Sequence, residues 1–279
     1  MINKNYTKKI YNEPFPYVIF NNFFEKEYYD EVARDFPKIQ TLEKEKNNVG
    51  RMHHDITNGD KVYKDLIKKS DAYKKMHDWV YSKNFIDFFL HIFRDQIITN
   101  YNNKNLLHNP FSFNIIEEPY EGAKVVDKNS LSNKKKKNIY SRIDIGVGKK
   151  NYGIKTGGGG IHVDNPQRLI SLLFYCGGYS HIKGGEHRIW KKESGKMKLE
   201  NIIVPKPNML IASLQTNISY HDVNPIKEIE GTRNAFYLAI SSSIKTWKSV
   251  KYSKFNLKYN KNRCKKNFLR KMIDLLNVK

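Results

Sequence analysis

Cysteine is nearly absent. Cys176 and Cys264 are the only two in 279 residues, and they stand far apart, outside any C-x-x-C spacing. That excludes a disulfide framework and a thiolate zinc site, and a reducing compartment suits the chain. No apolar run approaches the roughly 18 residues that a membrane-spanning helix requires. The opening MINKNYTKKIYNE is polar and has no apolar centre, so it does not read as a secretory leader. These absences lead to the expectation of a soluble, cytoplasmic protein with no membrane partner. Acidic residues are also scarce, 28 against 50 Lys and Arg, which leaves a formal net charge of +22. Only nine of the 50 cations are arginine, and with Asn, Ile and Tyr also abundant, the lysine excess reads as compositional drift. Position adds something, because residues 245–279 hold twelve Lys or Arg against the single Asp274. That tail is either a solubilising surface or an electrostatic handle for a polyanion.

What is present is a globular composition, 39% hydrophobic and 13% aromatic, in a chain long enough to bury a core without staples. We expect one domain with extensions: an N-terminal strand and helices over 1–110, a β core over 111–244 and a basic tail with a short helix over 245–279. PFPYVIFNNFF reads as a strand, and EKEYYDEVARDF as a helix ended by Pro37. Residues 41–63 are charged and irregular, with His53 and His54 expected on the surface. From Lys64 to Ile98 the pattern is helical, and Phe85, Phe88, Phe89, Ile92 and Phe93 repeat at three and four, as on a core-facing stripe. FSFNIIEE, over 111–118, reads as a strand, and NKKKKN ends a lysine-rich stretch expected to be a solvated loop.

IYSRIDIGVG alternates apolar and polar residues, and short strand-like segments follow: RLISLLFY, GGEHRIWK, the pair IIVP and PNMLIASL read as a hairpin, and ISYHDV with RNAFYLAISSS as a last pair. GGYSHIKGG reads as a turn. Such strands with turn signals between them imply an antiparallel barrel or jelly roll. The four glycines of GIKTGGGG have no following Gly-Lys-Ser/Thr and open no helix, so they are not a phosphate loop. They read as a hairpin connection, or as close backbone approach to a ligand.

The stretch IHVDNPQRLISLLFYC organises this half. His162 and Asp164 are one residue apart, so on a strand their side chains leave the same face. Downstream, SYHDVNP supplies His221. Two histidines and one carboxylate that leave coordination positions open are the donor set of a non-heme Fe(II) oxygenase. His181 and His187 compete for the third place. His181 falls in the expected turn and His187 opens a neighbouring strand, which leaves His221 in the better context.

The ordered set HVDNP, RLISLLFY, GGEHRI, IIVPKPNML, YHDVNP and TRNAFYL, over roughly residues 139–242, resembles the Fe(II)/2-oxoglutarate-dependent oxygenases, and within them the prolyl-hydroxylase-like branch. The resemblance implies a double-stranded β-helix core, Fe(II) held by His162, Asp164 and His221, and 2-oxoglutarate chelating the metal, with ascorbate as an accessory reductant. Arg233 would grip the far carboxylate of the cosubstrate, since a guanidinium buried in a barrel is costly unless a carboxylate pairs with it. Tyr175 matches the branch's tyrosine beside that arginine, and Tyr152 its tyrosine near the metal end, with core packing as the other use of each. The chain departs from the pattern in two ways. Arg233 follows His221 by twelve residues, slightly more than is usual, and Ala235 replaces the serine of the R-x-S variant.

The activity implied is O2-dependent hydroxylation of a C–H bond in a peptide, prolyl residues included, or in a small molecule, with succinate and CO2 as co-products. Two other readings share the motif. A nucleic-acid-directed oxygenase would use the tail to track phosphates, with Trp247, Tyr252, Phe255 and Tyr259 as a stacking platform. A cupin-like module would bind metal without turnover. The sequence leaves the oligomeric state open.

Overall fold

The computed structural model describes residues 1–45, 53–117, 137–151 and 160–248. In chain order it contains β1 (Thr7–Tyr11), β2 (Tyr17–Asn21), α1 (Lys26–Arg34), α2 (Ile39–Glu43), β3 (His53–Thr57), α3 (Lys61–Lys69), α4 (Asp71–Val80), α5 (Lys83–Ile92) and α6 (Arg94–Asn102). Then come β4 (Asn114–Ile116), β5 (Asn138–Gly148), β6 (Arg168–Lys183), β7 (His187–Glu193), β8 (Lys196–Ile203), β9 (Met209–Leu214), β10 (His221–Val223) and β11 (Glu228–Ser242). Tyr152, most of the lysine-rich loop and residues 249–279 lie outside the described residues.

The strands form two sheets. The larger runs β1-β2-β9-β6-β11-β5-β3, with β4 added in parallel to β5, and the smaller runs β10-β7-β8. A short segment at His162 extends the smaller sheet by bridging to His221. From β5 to β11 the chain crosses repeatedly between the two sheets, as in a jelly roll, with the β7–β8 hairpin staying in the smaller one. Ile189 and Ile203 of the smaller sheet pack in one cluster with Leu173, Tyr175, Met209, Ile211 and Ala235 of the larger. This is the double-stranded β-helix anticipated from the motif order.

The other face of the large sheet is covered by the N-terminal helices. Phe236 meets Phe36 and Tyr73, and Phe174 meets Phe23 and Phe24. Covered on both faces, β5 and the centre of β6 are buried almost continuously, as expected for a sheet between two layers. Helices α4 and α5 begin where the sequence supplies caps: the Ser70 and Ser82 hydroxyls accept from the backbone N–H groups of Tyr73 and Phe85, each satisfying a donor of the first turn. Phe85, Phe89 and Phe93 of the expected stripe are fully buried.

Four expectations are corrected. IIVP and PNMLIASL do not form a hairpin: β8 pairs with β7, whereas β9 pairs with β2 and β6. In the same way β10 pairs with β7 and β11 with β5 and β6. Periodicity marks a strand but not the sheet it joins, and Pro205 and Pro207 turn the chain from one sheet to the other. GGYSHIKGG is not simply a turn, because β6 continues to Lys183 and the register against β11 shifts around Gly231. Gly178 has φ +88° there, and a Cβ on it would lie 2.4 Å from Asn234 Nδ2, so a glycine bulge continues the strand. Finally, β3 runs through the stretch expected to be irregular, and His54 is fully buried on it, on the face of Ile56 rather than in solvent.

Candidate metal centre

His162 and His221 face each other across the end of the smaller sheet. Each backbone N–H donates to the other's carbonyl, at 3.1 Å from His162 and 2.9 Å from His221. In such a hydrogen-bonded antiparallel pair the two side chains project from the same face, and the rings lie 4.6 Å apart between centroids. The H-x-D pair is therefore not on β6 itself. It occupies the bridge segment just before that strand, and Asp164 follows His162 into the same space. One donor atom from each of His162, Asp164 and His221 lies within 4.8 Å of the others.

The surroundings decide which atoms face that point. His162 Nδ1 lies 2.8 Å from the Gly160 carbonyl oxygen, and His221 Nδ1 lies 3.0 Å from that of Ser219. A carbonyl oxygen can only accept, so Nδ1 carries the hydrogen in both rings, and Nε2 is the nitrogen whose lone pair a neutral ring would offer. This is the orientation that backbone carbonyls impose on metal-binding histidines. The Ser219 carbonyl is itself held, because the Ser219 hydroxyl receives the Thr216 N–H at 3.0 Å and donates to Gln215 Oε1 at 2.9 Å.

Asp164 accepts a hydrogen bond from the Ser171 hydroxyl and lies 3.4 Å from Arg168 Nη1. Burial opposes its ionisation, but the charges of Arg168, His221 and His162, together with the Ser171 bond, hold the carboxyl well below the usual range. His221 is shifted down by burial and by His162, against the pull of Asp164. The carboxylate is thus ionised and the His221 ring neutral near pH 7, the states that ligate a cation.

The three groups line a cavity of about 220 Å³ shared with Arg168, Ser171, Leu173, His187, Ile211, Ser213 and Tyr237. Arg233 lies at the start of the interior face that Ala235 and Tyr237 continue along β11. It is fully buried, donates from Nη1 to the Gly185 carbonyl at 2.9 Å, and donates from Nη2 to the Tyr237 hydroxyl at 3.2 Å. Tyr175, directly opposite Ala235 in the sheet, places its ring centroid 5.9 Å from the Arg233 guanidinium carbon. The structure thus gathers His162, Asp164 and His221 at one point and sets Arg233 beside Tyr175.

The chain has distant likenesses among solved structures. Solved structures like it include a prolyl 4-hydroxylase from Phytophthora capsici, at 12% identity over 86% of this chain and 64% of that one, with a TM-score of 0.45. A viral collagen prolyl hydroxylase from Paramecium bursaria Chlorella virus-1, in its 2-oxoglutarate complex, is 14% identical over 82% of this chain and 96% of its own, with a TM-score of 0.40. A prolyl hydroxylase from Trichoplax adhaerens, bound to a hypoxia inducible factor peptide fragment, is 14% identical over 81% and 83%, with a TM-score of 0.39. No family model matches the chain, and no curated protein does.

Of the competing histidines, His181 is exposed. His187 is not: it lines the cavity and stacks on His221, with 5.4 Å between ring centroids. The sequence reading also passed over Arg168, Ser171 and Tyr237. Ser171 and Tyr237 share strand parity with the inward-facing Leu173 and Ala235, a signal that was available. Arg168 carried none. Trp247, weighed as part of a stacking platform, is fully buried, and its indole N–H donates to the Arg168 carbonyl at 3.0 Å.

Proposed function

We propose that the protein is an Fe(II)- and 2-oxoglutarate-dependent dioxygenase that hydroxylates a C–H bond of a peptide, prolyl residues included, or of a small molecule. The observation that carries the reading is the oriented donor set. Two imidazoles turned by backbone carbonyls to offer Nε2, and a carboxylate kept ionised by Arg168, fit a ferrous ion and leave coordination positions open to the cavity. With 2-oxoglutarate and O2, iron bound there would supply oxidative decarboxylation to succinate and CO2, one oxygen atom of O2 entering succinate and the other the C–H bond of the substrate.

The chain's own groups do the rest. Ser171 and Arg168 fix the Asp164 carboxylate, which a metal site requires as an anion. Arg233 offers a permanent cation for the far carboxylate of 2-oxoglutarate, with Tyr175 beside it. Leu173 and Ile211 give the cavity an apolar wall that limits water around the ligand. The burial of Trp247 supports packing, not base stacking, at the start of the tail. The basic tail beyond it is dispensable for the chemistry in this account.

The test is succinate release by Fe(II)-reconstituted protein offered a proline-rich peptide, a metabolite panel and single-stranded DNA or RNA. Turnover with a peptide or metabolite, lost in Asp164→Ala, is expected. Iron binding with no succinate from any substrate would identify a non-catalytic metal-binding module. Turnover only with polynucleotide, suppressed by salt, would favour the nucleic-acid-directed enzyme.

A further inference from the structure

His187 adjoins the metal-ligand cluster, and the chain just before it meets Arg233. On β7 it is paired with Val223, so across the sheet it is the diagonal neighbour of His221, and their rings stack at an interplanar angle of 29°. Two residues earlier, the Gly185 carbonyl receives Arg233 Nη1. The His187 side chain is turned inward, with Ile189 and Ile203 on the same face of the smaller sheet, and it is only 8% exposed. Its Nδ1 is buried and has no hydrogen-bond partner among the described residues.

A histidine in this setting has a cost with no visible return in the ligand-free protein. A buried polar atom without a partner destabilises a fold, whereas Leu would fill much of the same space among Ile189, Ile203 and Leu173 and need none. Its donor atoms fall outside the cluster formed by His162, Asp164 and His221. Whichever nitrogen carries the hydrogen, a neutral imidazole there offers one donor and one acceptor. What remains is a polar group that lines the cavity of the metal-ligand cluster, two residues along the chain from the carbonyl that receives Arg233.

We infer that His187 is a positioning residue that hydrogen-bonds the oxo-acid cosubstrate along its path from the metal to Arg233. This rests on the oxygenase reading above and adds a polar contact to it, one that fixes where the ligand lies against the apolar wall of Leu173 and Ile211. A hydrogen bond to a charged ligand group is lost when His187 becomes Leu, so the 2-oxoglutarate Kd should rise about tenfold to hundredfold. His187→Gln, which keeps a donor and an acceptor, should recover part of that loss.

The test is anaerobic calorimetric titration of 2-oxoglutarate into Fe(II)-loaded wild type, His187→Leu and His187→Gln, with iron stoichiometry and ligand-free melting temperature measured on each. The inference expects three results together: weaker 2-oxoglutarate binding in the Leu variant with partial rescue by Gln, iron stoichiometry unchanged, and a ligand-free melting temperature equal to or above wild type. A histidine kept only for packing would instead lower the melting temperature when replaced and leave the Kd alone, and that result overturns the inference. Loss of iron in His187→Leu overturns it in favour of a ligand role. Wild type that binds iron but no 2-oxoglutarate overturns the oxygenase reading and this inference with it, whereas wild-type binding matched by His187→Leu overturns the inference alone.

Discussion

Arg233→Met separates ligand recognition from folding. Methionine keeps an unbranched apolar stem of similar reach and removes the guanidinium. Arg233 is fully buried, and its visible bonds go to the Gly185 carbonyl and the Tyr237 hydroxyl. Leaving those two groups without the donor costs about 1–3 kcal/mol each. Against this, removing a desolvated cation recovers a penalty of several kcal/mol, so that replacing buried ions by apolar groups is often close to neutral. The stability of the ligand-free protein should therefore change by no more than about 2 kcal/mol. Affinity for 2-oxoglutarate should not be spared, since truncating one partner of a buried charge pair costs about 2–5 kcal/mol, or about 30-fold to several-thousand-fold in Kd. Chemical denaturation of the apo protein and calorimetric titration of the Fe(II) form measure the two effects. An unchanged 2-oxoglutarate Kd would remove Arg233 from the site. Loss of iron together with 2-oxoglutarate would show that the variant disturbs the whole smaller sheet.

Ser171→Ala removes a hydrogen bond to Asp164 without touching a metal donor, and metal affinity should fall about tenfold to hundredfold, as for other groups that orient a ligand. Competition with a chelator of known affinity measures it. Asp222 is 2% exposed and accepts from Arg188 Nε at 2.7 Å, Arg188 Nη2 at 2.5 Å and the Trp190 indole at 2.9 Å. Asp222→Ala should cost about 3–5 kcal/mol by denaturant titration and weaken the metal site, because it unpins β10 from β7. Trp247→Ala should cost about 3–5 kcal/mol by the same assay, whereas charge reversal of lysines beyond residue 248 should leave succinate formation unchanged.

The sequence was most informative where chemistry and periodicity coincide. His162 and Asp164 are marked by spacing and His221 by its place near a strand end, so that the three would share one cavity was legible, and Arg233 was marked by opening an apolar strand. What was not legible depends on contacts distant in sequence. Nothing in IIVP or PNMLIASL says that β8 and β9 belong to opposite sheets, since both are short apolar runs. Gly177 and Gly178 read as a turn because glycine permits positive φ, and the fold uses that freedom to bulge a long strand instead. His54 was misjudged because a charged neighbourhood in sequence became the inward side of an added strand. His187 was set aside as a competitor for the metal, although its parity with Ile189 already pointed it inward.

The central claim is that His162, Asp164 and His221 hold one ferrous ion that 2-oxoglutarate turnover requires. Anaerobic Fe(II) titration of wild type, Asp164→Ala and His187→Ala, followed by succinate measurement after O2 is admitted, tests it most directly. The account predicts one iron per chain in wild type and in His187→Ala, little in Asp164→Ala, and 2-oxoglutarate-dependent succinate only where iron is bound. Iron retained by Asp164→Ala and lost from His187→Ala would contradict it.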